Sequence, residues 1–332
     1  MLTWPHPHGD WASCLAQVEK TYCQLAEVIT RFEALLIVCY DTRHQAHIQQ
    51  QLSQTAARQD KLIFRIVKSN DSWARDHGPI TVLQDGMPRL LDFTFNGWGG
   101  KYASQLDDAI TQQLYSQHSF ADIDIEANGL VLEGGSIDTD GAGTLLTTTQ
   151  CLLSQTRNPS LDKPGLEALL KTTFGLQGIH WLSQGALEGD DTDSHIDMLA
   201  RFCTPTTIAY CSCDDPADQH MLPLNKMKAE LEALRDQSGQ AYTLVPLPMP
   251  KAIYNNKGQR LPGSYANFLI INKAVLVPIY GDSHDELALQ RLQGCFPGRE
   301  MIGIDCRVLI EQFGSLHCIS MQLPKGTLES IT

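Results

Sequence analysis

A pattern of helix, short apolar strand, polar loop and hairpin recurs along the whole chain, and it restricts the fold more than any other feature. Residues 11–32 open the chain with Leu15, Val18, Tyr22, Leu25, Ile29 and Phe32 at helical spacing, and residues 35–40 read as a strand. In the first unit a weakly amphipathic stretch, 44–58, leads to a strand at 62–67, the loop 70–79 and arms at 80–83 and 90–95 about an Asp85-Gly86 turn. In the second, Ser104 stands as helix cap before Leu106, Ile110 and Leu114. A strand at 123–126, the loop Glu133-Gly134-Gly135 and a return through 144–153 complete it. The third runs from a helix at 161–174 and a strand at 178–182 to the acidic loop 189–197 and a hairpin turning near Pro205. The fourth has a helix marked by Leu224, Met227, Leu231 and Leu234, a strand at 241–247, and arms at 268–271 and 274–279. The fifth opens on a capping-box pattern, Ser283 to Glu286, followed by a strand at 301–306 and a last hairpin at 309–323.

With Asp76, Glu133, His195, Tyr265 and Cys318 as markers, successive separations are 57, 62, 70 and 53 residues. One such unit cannot bury both faces of its sheet, so five are expected to pack about a common axis, each bringing a loop to a shared centre. An ordinary α/β domain with coincidental spacing is the alternative.

Composition narrows the functions. The 332 residues hold 25 Lys+Arg against 38 Asp+Glu, a net charge of −13. That balance opposes nucleic-acid binding, which needs clustered cations, and is compatible with steering a cationic substrate. No apolar run approaches the roughly 18 residues that span a bilayer, so no membrane partner is expected. The first ten residues lack the basic and apolar regions of a signal peptide. Ten cysteines without an export signal read as free thiols, and the compartment as cytoplasm. Self-association into a homo-oligomer is compatible with the sequence.

Five residues draw attention for their chemistry. In 70–79, Asp76 is a turn former or a ligand group, and Arg75 beside it a structural ion pair or a functional one. Glu133, between Leu130-Val131-Leu132 and two glycines, is a solvated strand end or a carboxylate held close to a ligand. His195 and Asp197 are two apart, so an extended backbone presents both on one face. Three more Asp lie just upstream, but the run matches neither a Ca²⁺ loop nor a zinc helix, and no metal is expected. Cys318 reads as a residue of a late strand, which turns the adjacent His317 to the opposite face and leaves His195 as the base. Alone, such a cysteine is usually core. A cysteine, a histidine and three carboxylates together are unsuited to a developing oxyanion, yet they suit a planar cation such as a guanidinium, whose N–H fork pairs with carboxylates. Trp73, Trp98 and Tyr265 are a cation-binding wall or ordinary packing.

These stretches resemble the agmatine deiminase and bacterial-type peptidylarginine deiminase family, among the guanidino-modifying enzymes of the pentein fold. The matching segments are Asn70-Asp71-Ser72-Trp73-Ala74-Arg75-Asp76-His77-Gly78-Pro79, Phe95-Asn96-Gly97-Trp98-Gly99-Gly100-Lys101-Tyr102 and Leu132-Glu133-Gly134-Gly135-Ser136. Asp190-Asp191-Thr192-Asp193-Ser194-His195-Ile196-Asp197, Ser264-Tyr265-Ala266-Asn267-Phe268 and His317-Cys318-Ile319 follow in the family's order. The resemblance implies a five-bladed, pseudo-fivefold α/β propeller, with residues 1–332 as a single catalytic domain. It also implies roles. Cys318 attacks the guanidinium carbon, Asp76 and Asp197 hold the substrate nitrogens, His195 protonates departing ammonia and then activates water, and Glu133 binds the guanidinium and assists. No cofactor is implied.

The sequence departs from the family pattern at Phe313-Gly314-Ser315-Leu316, where a glycine-rich run often stands, and at Ser194, where a glycine often precedes the histidine. Neither the signal peptide nor the added C-terminal domain of the secreted peptidylarginine enzymes is expected here, and that expectation points to a small substrate. The expectation is agmatine converted to N-carbamoylputrescine and ammonia. Deimination of peptidylarginine or another guanidino compound is the alternative, and a non-catalytic guanidino-binding or interaction protein lies beyond it.

Overall fold

Residues 35–39, Leu-Leu-Ile-Val-Cys, are apolar on both faces, and as a strand every one of them is buried. This is the pattern of a strand covered on two sides, and it recurs with small variations through the computed structural model, which describes residues 1–329. The strands are β1 (Leu2–Thr3), β2 (Leu35–Cys39), β3 (Leu62–Ile66), β4 (Ile80–Gln84), β5 (Met87–Thr94), β6 (Ile125–Val131), β7 (Ile137–Thr139) and β8 (Thr144–Thr148). After them come β9 (Gly178–Leu182), β10 (Ala200–Thr204), β11 (Thr207–Cys211), β12 (Thr243–Leu247), β13 (Leu269–Ile271), β14 (Ala274–Ile279) and β15 (Glu300–Asp305). Among the described residues they form five three-stranded sheets, each of three consecutive strands in chain order.

The chain divides into two compact units. The first comprises residues 1–134, 270–274 and 317–332, and the second 135–269 and 275–316. In the first unit, β4 and β5 make an antiparallel hairpin and β6 adds parallel to β5. In the second, β7–β8 and β10–β11 are antiparallel pairs to which β9 and β12 add in parallel. Each parallel addition needs a crossover, and helices supply it: Ile110–Ser116 before β6, Lys163–Phe174 before β9, Met221–Ala233 before β12. The sheet therefore joins a hairpin to the strand that follows the next helix, which shifts the expected unit by one strand.

The sheet β1-β2-β3 is the exception. All its pairings are parallel, and β1 is a two-residue strand that periodicity does not reveal. Leu2 forms an antiparallel bridge with Ser320, and the main chains of Met1 and Met321 exchange two hydrogen bonds, of 2.7 and 3.1 Å. The C-terminal segment thus takes the place of a hairpin arm beside β1. Around this junction lies a core of Met1, Leu36, Val38, Val67, Ala74, Leu90, Ile110, Leu114 and Met321.

Several local expectations change. The strand expected at 123–126 runs over Ile125–Val131, because a register shift pairs Phe93 with Asn128 but Thr94 with Val131. That bulge carries the strand up to Leu132, whose N–H donates to Thr94, and so delivers Glu133 at its end. The stretch 144–153 splits into β8 and a helical turn, Thr149–Leu152, capped by the Thr148 hydroxyl. Ser104 occupies an N-cap position without a side-chain cap bond. The capping box at Ser283 does not form: His284 is the N-cap, and the Asp285 carboxylate instead accepts from the N–H groups of Tyr280 and Asp282. The expected hairpin at 309–323 is a helical turn, Arg307–Ile310, followed by irregular turns. No helix among the described residues is long and apolar enough to cross a membrane.

Leu36 is fully buried between β1 and β3 within this core. Leu36→Ala is expected to destabilise the protein by about 2–5 kcal/mol, read as a lowered denaturation midpoint. An unchanged midpoint would contradict this account of the core.

Candidate functional site

Within the first unit, three segments distant in sequence meet at Arg75. The turn that carries it, Ala74–His77, is a single buried helical turn ending where Gly78 gives way to β4. The Arg75 N–H donates to the Cys318 carbonyl at 3.0 Å, and its Nε donates to the His317 carbonyl at 3.4 Å. Its guanidinium reaches on to Gln322 and to the Met321 sulfur. On the opposite approach, a Cβ at Gly134 would run into the Arg75 carbonyl oxygen, so only glycine lets the backbone after Glu133 come this close. Arg75 is thus a strut between the Glu133 and Cys318 segments.

Asp76, the next residue, is buried and accepts a 2.9 Å hydrogen bond from the indole Nε1 of Trp98. Trp98 sits in the turn Gly97–Gly100 with φ 55°, a left-handed conformation rare for an aromatic residue. The Asn96 side chain holds this turn by accepting from the Gly99 N–H at 2.8 Å, while Phe95 and Tyr102 meet the indole edge-on. Glu133 is 0% exposed, and Cys318 is 7% exposed. Cys318 lies in a turn, not a strand, in which the Ser320 N–H donates back to the His317 carbonyl. The alternation that was expected to point His317 away from it therefore does not apply there. The first unit brings together Asp76, Trp98, the backbone following Glu133, and the Cys318 turn.

Within the second unit, His195 and Asp197 are 1% and 0% exposed. They lie at the start of a 3₁₀ turn, Ile196–Met198, with His195 as its N-cap, so the extended backbone expected here is corrected to a tight turn. Its approach is strained: Asp193 and Ser194 are both left-handed, with φ of 66° and 64°. The loop's own acids hold it. Asp190 accepts from the Ser194 N–H at 2.6 Å and from Thr192, while Asp193 pairs with Arg157. Two upstream carboxylates therefore serve the loop's own structure. On the other side the Ser264 hydroxyl donates to the Met198 carbonyl, and the Asn267 amide to that of Asp197.

Tyr265 has its hydroxyl bonded to Asp285 at 2.7 Å and its ring against Tyr280. With 0% exposure and these two contacts, Tyr265 is buried within the second unit. Ser264 and Asn267 hold the backbone of the His195–Asp197 turn, which spacing alone does not reveal, although they flank Tyr265 in a segment already singled out.

Two further acids, the buried Asp107 and the half-buried Asp71, hold the Trp73 loop. Asp107 accepts from the N–H groups of Asn70 and Asp71, and Asp71 accepts from the indoles of Trp11 and Trp73. Burial pushes the Asp71 carboxyl up to about 6 and that of Asp107 up to about 8, in spite of these bonds. Burial likewise holds His77 down to about 3, so it is neutral near pH 7. A carboxyl whose folded-state pKa exceeds its unfolded value favours the native state at low pH and loses that contribution as pH rises to the folded value. As pH rises from 5 to 8, native stability is therefore expected to fall less steeply in Asp107→Asn than in the wild type. Denaturant melts across this range test it, and parallel profiles would refute the assignment.

Set beside known proteins, the chain matches the Porphyromonas-type peptidyl-arginine deiminase model over residues 1–324. An agmatine deiminase of Stutzerimonas stutzeri (strain A1501) is 34% identical over 348 residues, covering 97% of this chain and 92% of the relative. An agmatine deiminase structure from C. jejuni, with serine replacing a cysteine and substrate bound, is 39% identical with a TM-score of 0.88, covering 96% of this chain and 90% of that one. The agmatine deiminase of Enterococcus faecalis is 29% identical with a TM-score of 0.88, covering 98% and 92%. The five-sheet α/β architecture of these deiminases is that of the pentein fold the sequence implied. On this evidence the chain belongs to the Porphyromonas-type peptidyl-arginine deiminase family.

Proposed function

We propose that this protein hydrolyses a guanidinium C–N bond, converting agmatine to N-carbamoylputrescine and ammonia. One observation carries the reading: the buried Cys318 turn is tied through Arg75 to Asp76 and to the backbone after Glu133, in a chain that an agmatine deiminase matches over 97% of its length. A carboxylate withdrawn from water interacts far more strongly with a bound cation than an exposed one does. Asp76, Glu133 and Asp197, all buried, suit a planar guanidinium. An overall charge of −13 favours the approach of a small cation.

In the proposed reaction Asp76, Asp197 and Glu133 hold the guanidinium nitrogens and keep the carbon electrophilic. The Cys318 sulfur attacks that carbon and forms a C–S bond. His195 delivers a proton to one nitrogen, its C–N bond breaks, and ammonia leaves. Water then attacks the amidino-thioether carbon as His195 takes its proton. The C–S bond breaks, the sulfur regains its starting state, and the ureido product departs. Trp73 and Trp98 wall the substrate's cationic and aliphatic parts. We take residues 1–332 as one catalytic domain acting in the cytoplasm, a reading supported by ten cysteines with no disulfide among the described residues.

Ammonia release from agmatine, free arginine and an arginyl peptide separates the substrates, with agmatine expected to give the highest kcat/KM. Preference for the peptide would instead assign the activity named in the family model. Turnover of none of the three would overturn the enzymatic reading. Cys318→Ala is expected to lower kcat by about 10⁴-fold or more, and wild-type rates would reject the covalent mechanism. His195→Ala is expected to accumulate an amidino adduct on Cys318, visible by mass spectrometry of the intact protein.

A further inference from the structure

Two carboxylates with no part in the proposed chemistry brace the loop that bears Trp73 and Asp76: the buried Asp107, and Asp71, half-buried within the loop itself. Asp107, in the helical turn Gln105–Asp108, is 1% exposed. It accepts from the Asn70 N–H at 2.7 Å and from the Asp71 N–H at 3.2 Å. Asn70 returns the grip, its side-chain oxygen accepting from the Leu106 N–H at 2.8 Å. Asp108, next in sequence, accepts from the Phe95 N–H at 2.6 Å, immediately ahead of the Asn96-capped turn of Trp98. One short helical turn therefore holds both loops whose side chains meet in the Trp98–Asp76 hydrogen bond.

Asp71 divides its two oxygens. Oδ1 accepts from the Trp11 indole at 2.9 Å and the Ser72 N–H at 2.7 Å, while Oδ2 accepts from the Trp73 indole at 3.0 Å. The Trp73 ring also rests against Trp11, with centroids 5.7 Å apart. An apolar residue in place of Asp71 would leave three buried donors without this acceptor. What Asp71 adds beyond packing is a directional bond that fixes the rotation of the Trp73 indole.

We propose that Asp71, braced by Asp107, is a positioning residue for the substrate, setting the orientation of the Trp73 indole and the placement of the loop that carries Asp76. This rests on the deiminase reading given above. Binding geometry errors of about 1 Å can cost on the order of 100-fold in rate, so a bond that fixes an aromatic wall has kinetic consequences.

The test is a double-mutant cycle on the full chain, with kcat and KM measured by ammonia release from the best of the three guanidino compounds. Asp71→Asn keeps one oxygen for Ser72 and Trp11 but sets an amide N–H₂ against the Trp73 N–H. Trp73→Phe removes that donor and keeps an aromatic body. Each is expected to raise KM about tenfold and change kcat less, and the double variant to match the worse single one. Losses that multiply in the double variant, or an unchanged KM in Asp71→Asn, would overturn the inference. Should Asp71→Asn fail to fold, Asp107→Asn completes the same cycle against Trp73→Phe, with the same two outcomes. Wild-type protein that turns over no guanidino compound overturns the deiminase reading and this inference with it. Wild-type turnover with multiplying losses overturns the inference alone.

Discussion

In four of the five sheets the third strand runs parallel to its neighbour, and a parallel partner cannot be reached through a tight turn. The chain must leave the hairpin, cross over as a helix and return. That requirement sets the length of the repeat and explains why the chemically interesting residues sit where they do. The crossover strand ends at a loop from which the next hairpin starts, and Glu133 follows β6 in that position just as Asp76 follows β3. Loops so placed are free of pairing duties, yet they are anchored at both ends by strands. A site built on them gains both chemical freedom and positional precision.

Electrostatics then decides how such loops can carry acids. Around the Trp73 loop the carboxylates meet N–H groups: the Trp98 indole at the buried Asp76, two main-chain amides at the buried Asp107, and two indoles and a main-chain amide at the half-buried Asp71. Burying carboxyl groups is tolerable only with such donors. Asp71 and Asp107 still have their pKa values pushed upward, a sign that the donors compensate incompletely for loss of solvent. The loop architecture is thus tied to a cost in ionisation, and that cost is concentrated under Trp73.

Long apolar runs and strong turn signals were readable from sequence: β2, β9 and the β10–β11 hairpin stand close to where periodicity sets them. So was the density of ligand-type groups around His195. What escaped had one physical cause, namely that contacts between distant segments override local preference. Leu2–Thr3 is a strand only because β2 lies beside it. Ser283 heads a good capping pattern, yet Asp285 is drawn to Tyr265 and Tyr280 instead. The segment at Cys318 looks strand-like, but Arg75 takes up its backbone carbonyls and curls it into turns. Both departures from the family's glycine pattern coincide with left-handed residues, Ser194 at φ 64° and Phe313 at φ 66°. The conformation persists there without the residue that adopts it most cheaply, which marks it as a demand of the architecture.

The thiol inventory has a practical side. Burial pushes Cys39 and Cys211 up to about 12, and Cys23, with help from Glu19 and Glu27, up to about 11. At neutral pH such groups hold almost no thiolate, the form that alkylating agents consume. A haloacetamidine warhead shaped like the substrate would therefore meet little competition from these sulfurs. Cys295 differs, because the neighbouring Cys203 thiol holds its pKa below the ordinary thiol value, and it is the sulfur at which side reaction is expected.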